Sequence, residues 1–213
     1  MPLRRIRRFE IPTSTRELAK FLIGKVLVRE NKKGRMCGRI VETEAYGVGD
    51  AASHSFRGMT ARNRSMFLGP GHAYVYFIYG TWFALNVSSE PEGTGGAALI
   101  RALEVLDGME QMRERRPNAS DQRLASGPGC LTVALAIDKA LDGVDLCARG
   151  PLWLGEMTQF VRPPIATSVR IGISKEAHRR LRFFIRHHAS VSGPKWMHTA
   201  SKPPGRKRGV GKG

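Results

Sequence analysis

Cysteine is scarce in this chain and poorly placed for either of its structural uses. Cys37, Cys130 and Cys147 are odd in number and widely spaced, with no Cys-x-x-Cys pair and no histidine pair at zinc spacing beside them. That pattern argues against a disulfide framework and a structural metal site, and points to a reducing compartment. Long apolar runs are also missing. None is long enough to span a bilayer, and the basic N-terminus lacks the hydrophobic stretch of a secretory signal. There is no internal repeat. Acids are in short supply: 18 stand against 35 lysines and arginines, a formal net charge of +17, and none follows Ser190. Such a balance points to a polyanionic partner, nucleic acid before an anionic membrane surface, unless the chain is simply a soluble basic or ribosomal protein.

What is present organises into one mixed domain. The arginine-rich residues 1–9 are predicted to form a loose arm. Ser14 and Glu17 have capping-box spacing ahead of an apolar helical stretch that ends near Gly24. Residues 25–29 and 36–46 read as strands joined by a turn at 31–34. Residues 47–72 read as a long functional loop with one short helix. Residues 73–79 and 82–88 are aromatic and β-branched runs around Gly80-Thr81, a hairpin signal. A strand over 97–106, helices over 107–116 and 131–137, and strands over 169–173 and 181–185 complete the reading. Strands and helices do not alternate regularly, so a doubly wound sheet is disfavoured. The fold class expected is α+β, a single mixed domain around a largely antiparallel sheet with a protruding β-hairpin. The domain proper is placed at 10–190, and residues 191–213 are predicted to be a basic, disordered tail.

Several residues could carry chemistry. Glu42, Glu44 and Tyr46 share one face of a strand. They form either a hydrated outer surface or a carboxylate acting as general base toward water, with a phenol beside it. His54 lies in a loop, where a lone histidine is usually only exposed or hydrogen-bonded. Arg62-Asn63-Arg64 suits a phosphate contact or a solvated helix end. Tyr74 and Tyr76 share one face of the hairpin, and Phe77 and Tyr79 share the other. A ring at the hairpin tip of a basic protein is a candidate wedge between base pairs. Asn86 could be an ordinary strand polar residue. Arg101 interrupts the apolar run 97–106, where a guanidinium requires a carboxylate or phosphate partner.

These motifs, in order, resemble the alkyladenine (methylpurine) DNA glycosylase family. The resemblance runs through Gly38-Arg39-Ile40-Val41-Glu42-Thr43-Glu44-Ala45-Tyr46, Ser53-His54 and Arg62-Asn63-Arg64-Ser65-Met66-Phe67. It continues through Pro70-Gly71, Tyr74-Val75-Tyr76-Phe77-Ile78-Tyr79-Gly80, Asn86-Val87-Ser88-Ser89 and Leu99-Ile100-Arg101-Ala102-Leu103-Glu104. Weaker echoes at 126–128, 136–138 and 181–183 extend it over roughly residues 10 to 190. The resemblance implies a single α/β domain around a curved antiparallel sheet, with no metal or organic cofactor. It implies that Glu44 activates water and that Arg101 helps hold it. Tyr46, His54 and Tyr76 would sandwich a flipped purine, and Asn86 would discriminate against the exocyclic amine of guanine. Tyr79 would intercalate in the duplex, and Arg62 and Arg64 would contact phosphates.

The implied partner is double-stranded DNA containing damaged purines, with no membrane association and a monomeric state. The implied location is the cytoplasm or nucleoid of a bacterium, or the nucleus of a eukaryote. No lysine falls in the matched pocket motifs, so the product is expected to be an intact abasic strand. One departure stands out. Where family members commonly carry a lysine before a leucine, this chain has Gly129-Cys130-Leu131, so that phosphate contact is either absent or supplied by a residue such as Arg123. If about four phosphates are neutralised, duplex affinity will fall roughly 100-fold between about 50 and 200 mM salt. A titration by fluorescence anisotropy checks this; a flat response would instead fit a hydrolase of free nucleosides.

Overall fold

A computed structural model describes residues 2–78, 80–159 and 161–198. The order of elements is β1 (Leu3–Arg5), α1 (Thr15–Leu22), β2 (Val26–Asn31), β3 (Gly34–Tyr46), β4 (Ala73–Ile78), β5 (Trp82–Ser88) and β6 (Ala97–Asp107). There follow α2 (Met109–Arg115), α3 (Pro128–Ala134), β7 (Leu152–Met157), β8 (Ile165–Ser168) and β9 (Arg182–Ile185). The strands form one open sheet in the order β1-β7-β2-β3-β6-β5-β4, with β9 paired to β3 and β8 to β9. All of these pairings are antiparallel. The expected α+β class is what the chain adopts.

Strand β3 organises the rest. It pairs with β2 and β6 along its length, and its segment Glu42–Glu44 pairs with β9 as well. Its register against β6 shifts between Ile40 and Glu42 and again between Glu42 and Thr43. Irregularities of this kind bend a strand and re-aim its side chains, and they recur beside active sites. Helix α1 covers one face of β3: Leu18, Ala19 and Leu22 are buried in the main core with Ile40, Val41, Ile100 and Phe183. The Thr43 hydroxyl donates to the Ala19 carbonyl at 2.8 Å. Helix α3 supports the hairpin, where the Thr132 hydroxyl donates to the Phe83 carbonyl at 2.8 Å.

The sequence expectations need several corrections. Residues 3–5 are not a loose arm but an edge strand on β7. Ile6 is fully buried, and Arg4 donates to both Glu10 and Glu156, which neutralise it locally. The capping box does not form. Ser14 makes no side-chain cap bond, and Glu17 pairs with Lys20. Instead Glu90 accepts from the Thr15 N–H and hydroxyl, at 2.9 and 2.6 Å. Residues 169–173 are not a strand; the chain pairs with β9 over Ile165–Ser168 and then leaves the sheet. Helix α3 begins at Pro128, before the expected 131.

Past the expected boundary, residues 190–192 are buried and Lys195–His198 forms a 3-10 turn. The disordered-tail reading of residues 199–213 lies outside the described residues. What holds this C-terminal segment is Arg182, completely buried on β9. Its Nη2 donates to the Ser192 carbonyl at 2.9 Å, and its Nη1 donates to the Met197 carbonyl at 3.0 Å and to the Ser168 hydroxyl at 2.9 Å. Its Nε donates to Glu42 at 2.7 Å. Arg182→Met removes one member of a buried ionic cluster and should cost about 3–5 kcal/mol. Urea denaturation will read this as a lowered midpoint with an unchanged slope.

Candidate active site

Glu42 and Glu44 both have no exposed side-chain surface, so the hydrated-surface reading of this strand is overturned. Two buried carboxylates need buried positive charge and donors, and the neighbouring elements supply them. Arg101, projecting from β6, donates from Nε to Glu42 at 2.9 Å and from Nη1 to Glu44 at 3.3 Å. Its Nη2 reaches the Ser192 hydroxyl at 3.3 Å. The partner demanded by a guanidinium in an apolar run is thus a pair of carboxylates.

The two acids differ in their surroundings. Glu42 is saturated: one oxygen accepts from Arg101 and Arg182, the other from the Ser192 N–H at 2.6 Å. Burial works against its charge, but the two guanidiniums and these hydrogen bonds prevail and hold its pKa below the ordinary carboxylate range. Glu44 accepts from the Tyr46 hydroxyl at 2.8 Å, from Arg101, and from the Ile171 N–H at 2.8 Å. Its pKa is pushed upward. Burial is the largest cause, and the Glu42 charge adds to it against the opposing pull of Arg101. Of the two, Glu44 is therefore the one poised to exchange a proton.

Beside Glu44 opens a cavity of about 320 Å³, lined by Tyr46, His54, Tyr74, Tyr76, Asn86 and Arg101 among others. Its size suits a small aromatic ligand. Tyr74 and Tyr76 share a face of β4, as strand alternation requires, with stacked rings 5.2 Å apart. His54 sits edge-on to Tyr76 at 4.5 Å, and its Nδ1 lies 2.9 Å from the Tyr74 hydroxyl. Desolvation, then the Arg62 charge, lowers the pKa of His54 and favours its neutral form. Asn86 is buried on β5, with its amide nitrogen donating to the Tyr74 carbonyl at 3.2 Å. Among the described residues no group of three His, Cys, Asp or Glu is placed to hold a metal ion.

The two loop arginines separate. Arg62 lines the cavity, whereas Arg64 opens the 3-10 turn Arg64–Phe67 and borders a different depression with Met59 and Asp142. Tyr79, expected as the intercalating ring, lies outside the described residues. A Cβ on Gly129 would stand 2.6 Å from Cε3 of Trp82, so the indole occupies the space that a larger residue would need. Arg123 directs its Nη1 at the Ser126 hydroxyl, 3.1 Å away.

Sequence reasoning passed over Arg170. It is buried with Asp50, and its guanidinium carbon lies 4.6 Å over the Tyr46 ring. The signal that singled out Arg101, a charge within apolar neighbours, is present in Val169-Arg170-Ile171 too.

A family model described as methylpurine-DNA glycosylase matches residues 9–189. A relative from Mesorhizobium japonicum, provisionally named 3-methyladenine DNA glycosylase, is 57% identical over 191 residues, 89% of this chain and 91% of its own. Similarly named proteins of Paraburkholderia phytofirmans and Methanocella arvoryzae are 47% and 46% identical, covering 92% and 84% of this chain and 91% and 90% of their own.

Glu44 should titrate above an ordinary glutamate in carbon-13 NMR of carboxyl-labelled protein. Tyr46→Phe removes a donor that favours the charged form, so it should move that midpoint higher still. A downward move would show that the phenol does not hold the carboxylate.

Proposed function

The chain belongs to the methylpurine-DNA glycosylase family, and we propose that it is a monofunctional base-excision-repair enzyme. Its substrates are alkylated or deaminated purines, namely 3-methyladenine, 7-methylguanine, ethenoadenine and hypoxanthine, flipped out of duplex DNA into the aromatic cavity. The observation that carries this reading is a buried carboxylate, Glu44, held by Arg101, Tyr46 and the Ile171 N–H, three residues that line that cavity.

In this reading the base stacks on Tyr46 against the His54–Tyr76 pair, and Asn86 meets its edge. Electron-rich rings favour a cationic alkylpurine. As the glycosidic bond lengthens, the sugar gains positive character, which an ionised Glu44 stabilises. Water held by Glu44 and Arg101 adds its oxygen to the anomeric carbon and gives its proton to Glu44. The C–N bonding pair leaves with the base, so a cationic methylpurine departs neutral and the strand keeps an abasic sugar. No lysine is among the residues that line the cavity, which fits hydrolysis rather than a Schiff-base lyase step. The basic surface supplies attraction for the phosphate backbone, with Arg62 placed to contact a phosphate at the cavity mouth and Arg64 a second one farther off.

Duplexes each carrying one 3-methyladenine, 7-methylguanine, ethenoadenine or hypoxanthine should yield alkali-labile abasic sites from at least one lesion; none from any would refute the reading. Glu44→Gln should reduce excision by about 10³-fold or more while leaving lesion binding within a fewfold of the unaltered protein. Retained excision would move the base to another residue, with Glu42 the first to examine.

A further inference from the structure

Arg170 and Asp50 are a buried ion pair that the reaction does not use. Arg170 Nη2 donates to Asp50 Oδ1 at 3.0 Å, Nη1 donates to Asp50 Oδ2, and Nη1 also reaches the Ala45 carbonyl at 2.8 Å. Both residues are almost wholly shielded from solvent, at 3% and 1% exposure. Tyr46 lines the cavity and Arg170 does not. The guanidinium carbon is 4.6 Å from the centre of the Tyr46 ring, so a permanent positive charge packs against a ring of the cavity wall. An apolar side chain could support the ring equally well, and a buried ion pair is a weak source of stability. The charges therefore call for an explanation in terms of what the ring meets on its other face.

A planar base stacked there, at about 3.5 Å, would sit about 8 Å from the guanidinium. At that range, an uncompensated unit charge in a half-buried site disfavours a second cation on the order of tenfold or more. A neutral base feels no such penalty. Asp50, bound in bidentate fashion behind Arg170, cancels the field while leaving the guanidinium in place to hold the ring.

We infer that the Asp50–Arg170 pair sets the relative preference of the pocket for cationic over neutral purines. Arg170 fixes the Tyr46 ring from behind, and Asp50 makes that support electrically silent toward a cationic base. Both are positioning and specificity residues, and the inference rests on the proposed stacking of the base against Tyr46.

Single-turnover excision of 7-methylguanine (cationic) and ethenoadenine (neutral) from one duplex sequence at subsaturating enzyme, read as an apparent second-order rate constant so that binding of the base is included, provides the test. Asp50→Asn uncovers the positive charge and should lower the cationic-to-neutral rate ratio about tenfold. Arg170→Gln uncovers the negative charge and should raise it. The double variant carries no net charge there and should return the ratio to within about threefold of the unaltered protein, whatever its absolute rates. Thermal melting identifies the folded variants; should one single variant not fold, the other must still shift the ratio and the double must still restore it. Equal losses on both lesions, or a ratio that does not move in opposite directions, would overturn the inference. If the unaltered protein excises none of the four lesions, the proposed function fails and this inference with it. If it excises both and the ratio stays fixed, the inference alone fails.

Discussion

Two carboxylates, Glu42 and Glu44, stand one residue apart on the same face of one strand, both out of reach of bulk water. An isolated ion in that position would cost several kcal/mol in desolvation. Everything around β3 answers that constraint. Strand β6 contributes Arg101, β9 contributes Arg182, the turn after β8 contributes the Ile171 N–H, and the C-terminal segment contributes the Ser192 N–H. The sheet order that places β6 on one side of β3 and β9 on another reads as the arrangement that delivers these donors. The asymmetry of the donors matters as much as their number. Glu42 receives two guanidiniums and remains an anion, whereas Glu44 shares one and retains the capacity to take a proton.

The same economy of charge separates the interior from the surface. Inside, the buried acids and arginines near the cavity are matched: Glu42 and Glu44 with Arg101 and Arg182, Asp50 with Arg170. The cavity wall itself is mostly aromatic and apolar, broken by Asn86, His54 and two arginines. The large positive excess is thus left for the exterior, where it can meet a polyanion without perturbing the charge balance at Glu44. Long-range attraction and local chemistry are governed by different sets of arginines.

Much of this was legible in the residues. The strand-like run 36–46 behind a turn signal and the aromatic runs around Gly80 located β3 and the β4–β5 hairpin, because each has a partner close in sequence. Strand β7 left no such mark: it pairs with β1 and β2, more than a hundred residues away, and no turn signal announces it. The arginines at 4 and 5 hid a strand for the same reason, since Glu156, which pairs with Arg4, and Trp153, which Arg5 covers, both lie on β7. Within the site, an arginine in an apolar run marked Arg101 correctly as a paired charge. Arg170 and Arg182 carry the same mark, but their apolar neighbours read equally well as strands alone. The choice between Glu42 and Glu44 could not be made from alternation, which treats them alike. It depends on donors that arrive from residues 171, 182 and 192.

Those arrivals impose an order on the molecule's birth. The Ser192 N–H that seals Glu42 lies 150 residues downstream of it, beyond every strand of the sheet. A ribosome that has released β3, the hairpin and β6 has exposed the acids and one arginine, but not Arg170, Arg182 or the segment that covers them. The nascent chain at that stage holds an unbalanced charge cluster that favours staying wet. Closure comes only as β9 and the residues after it emerge, so the pocket is completed after the described strands have left the ribosome.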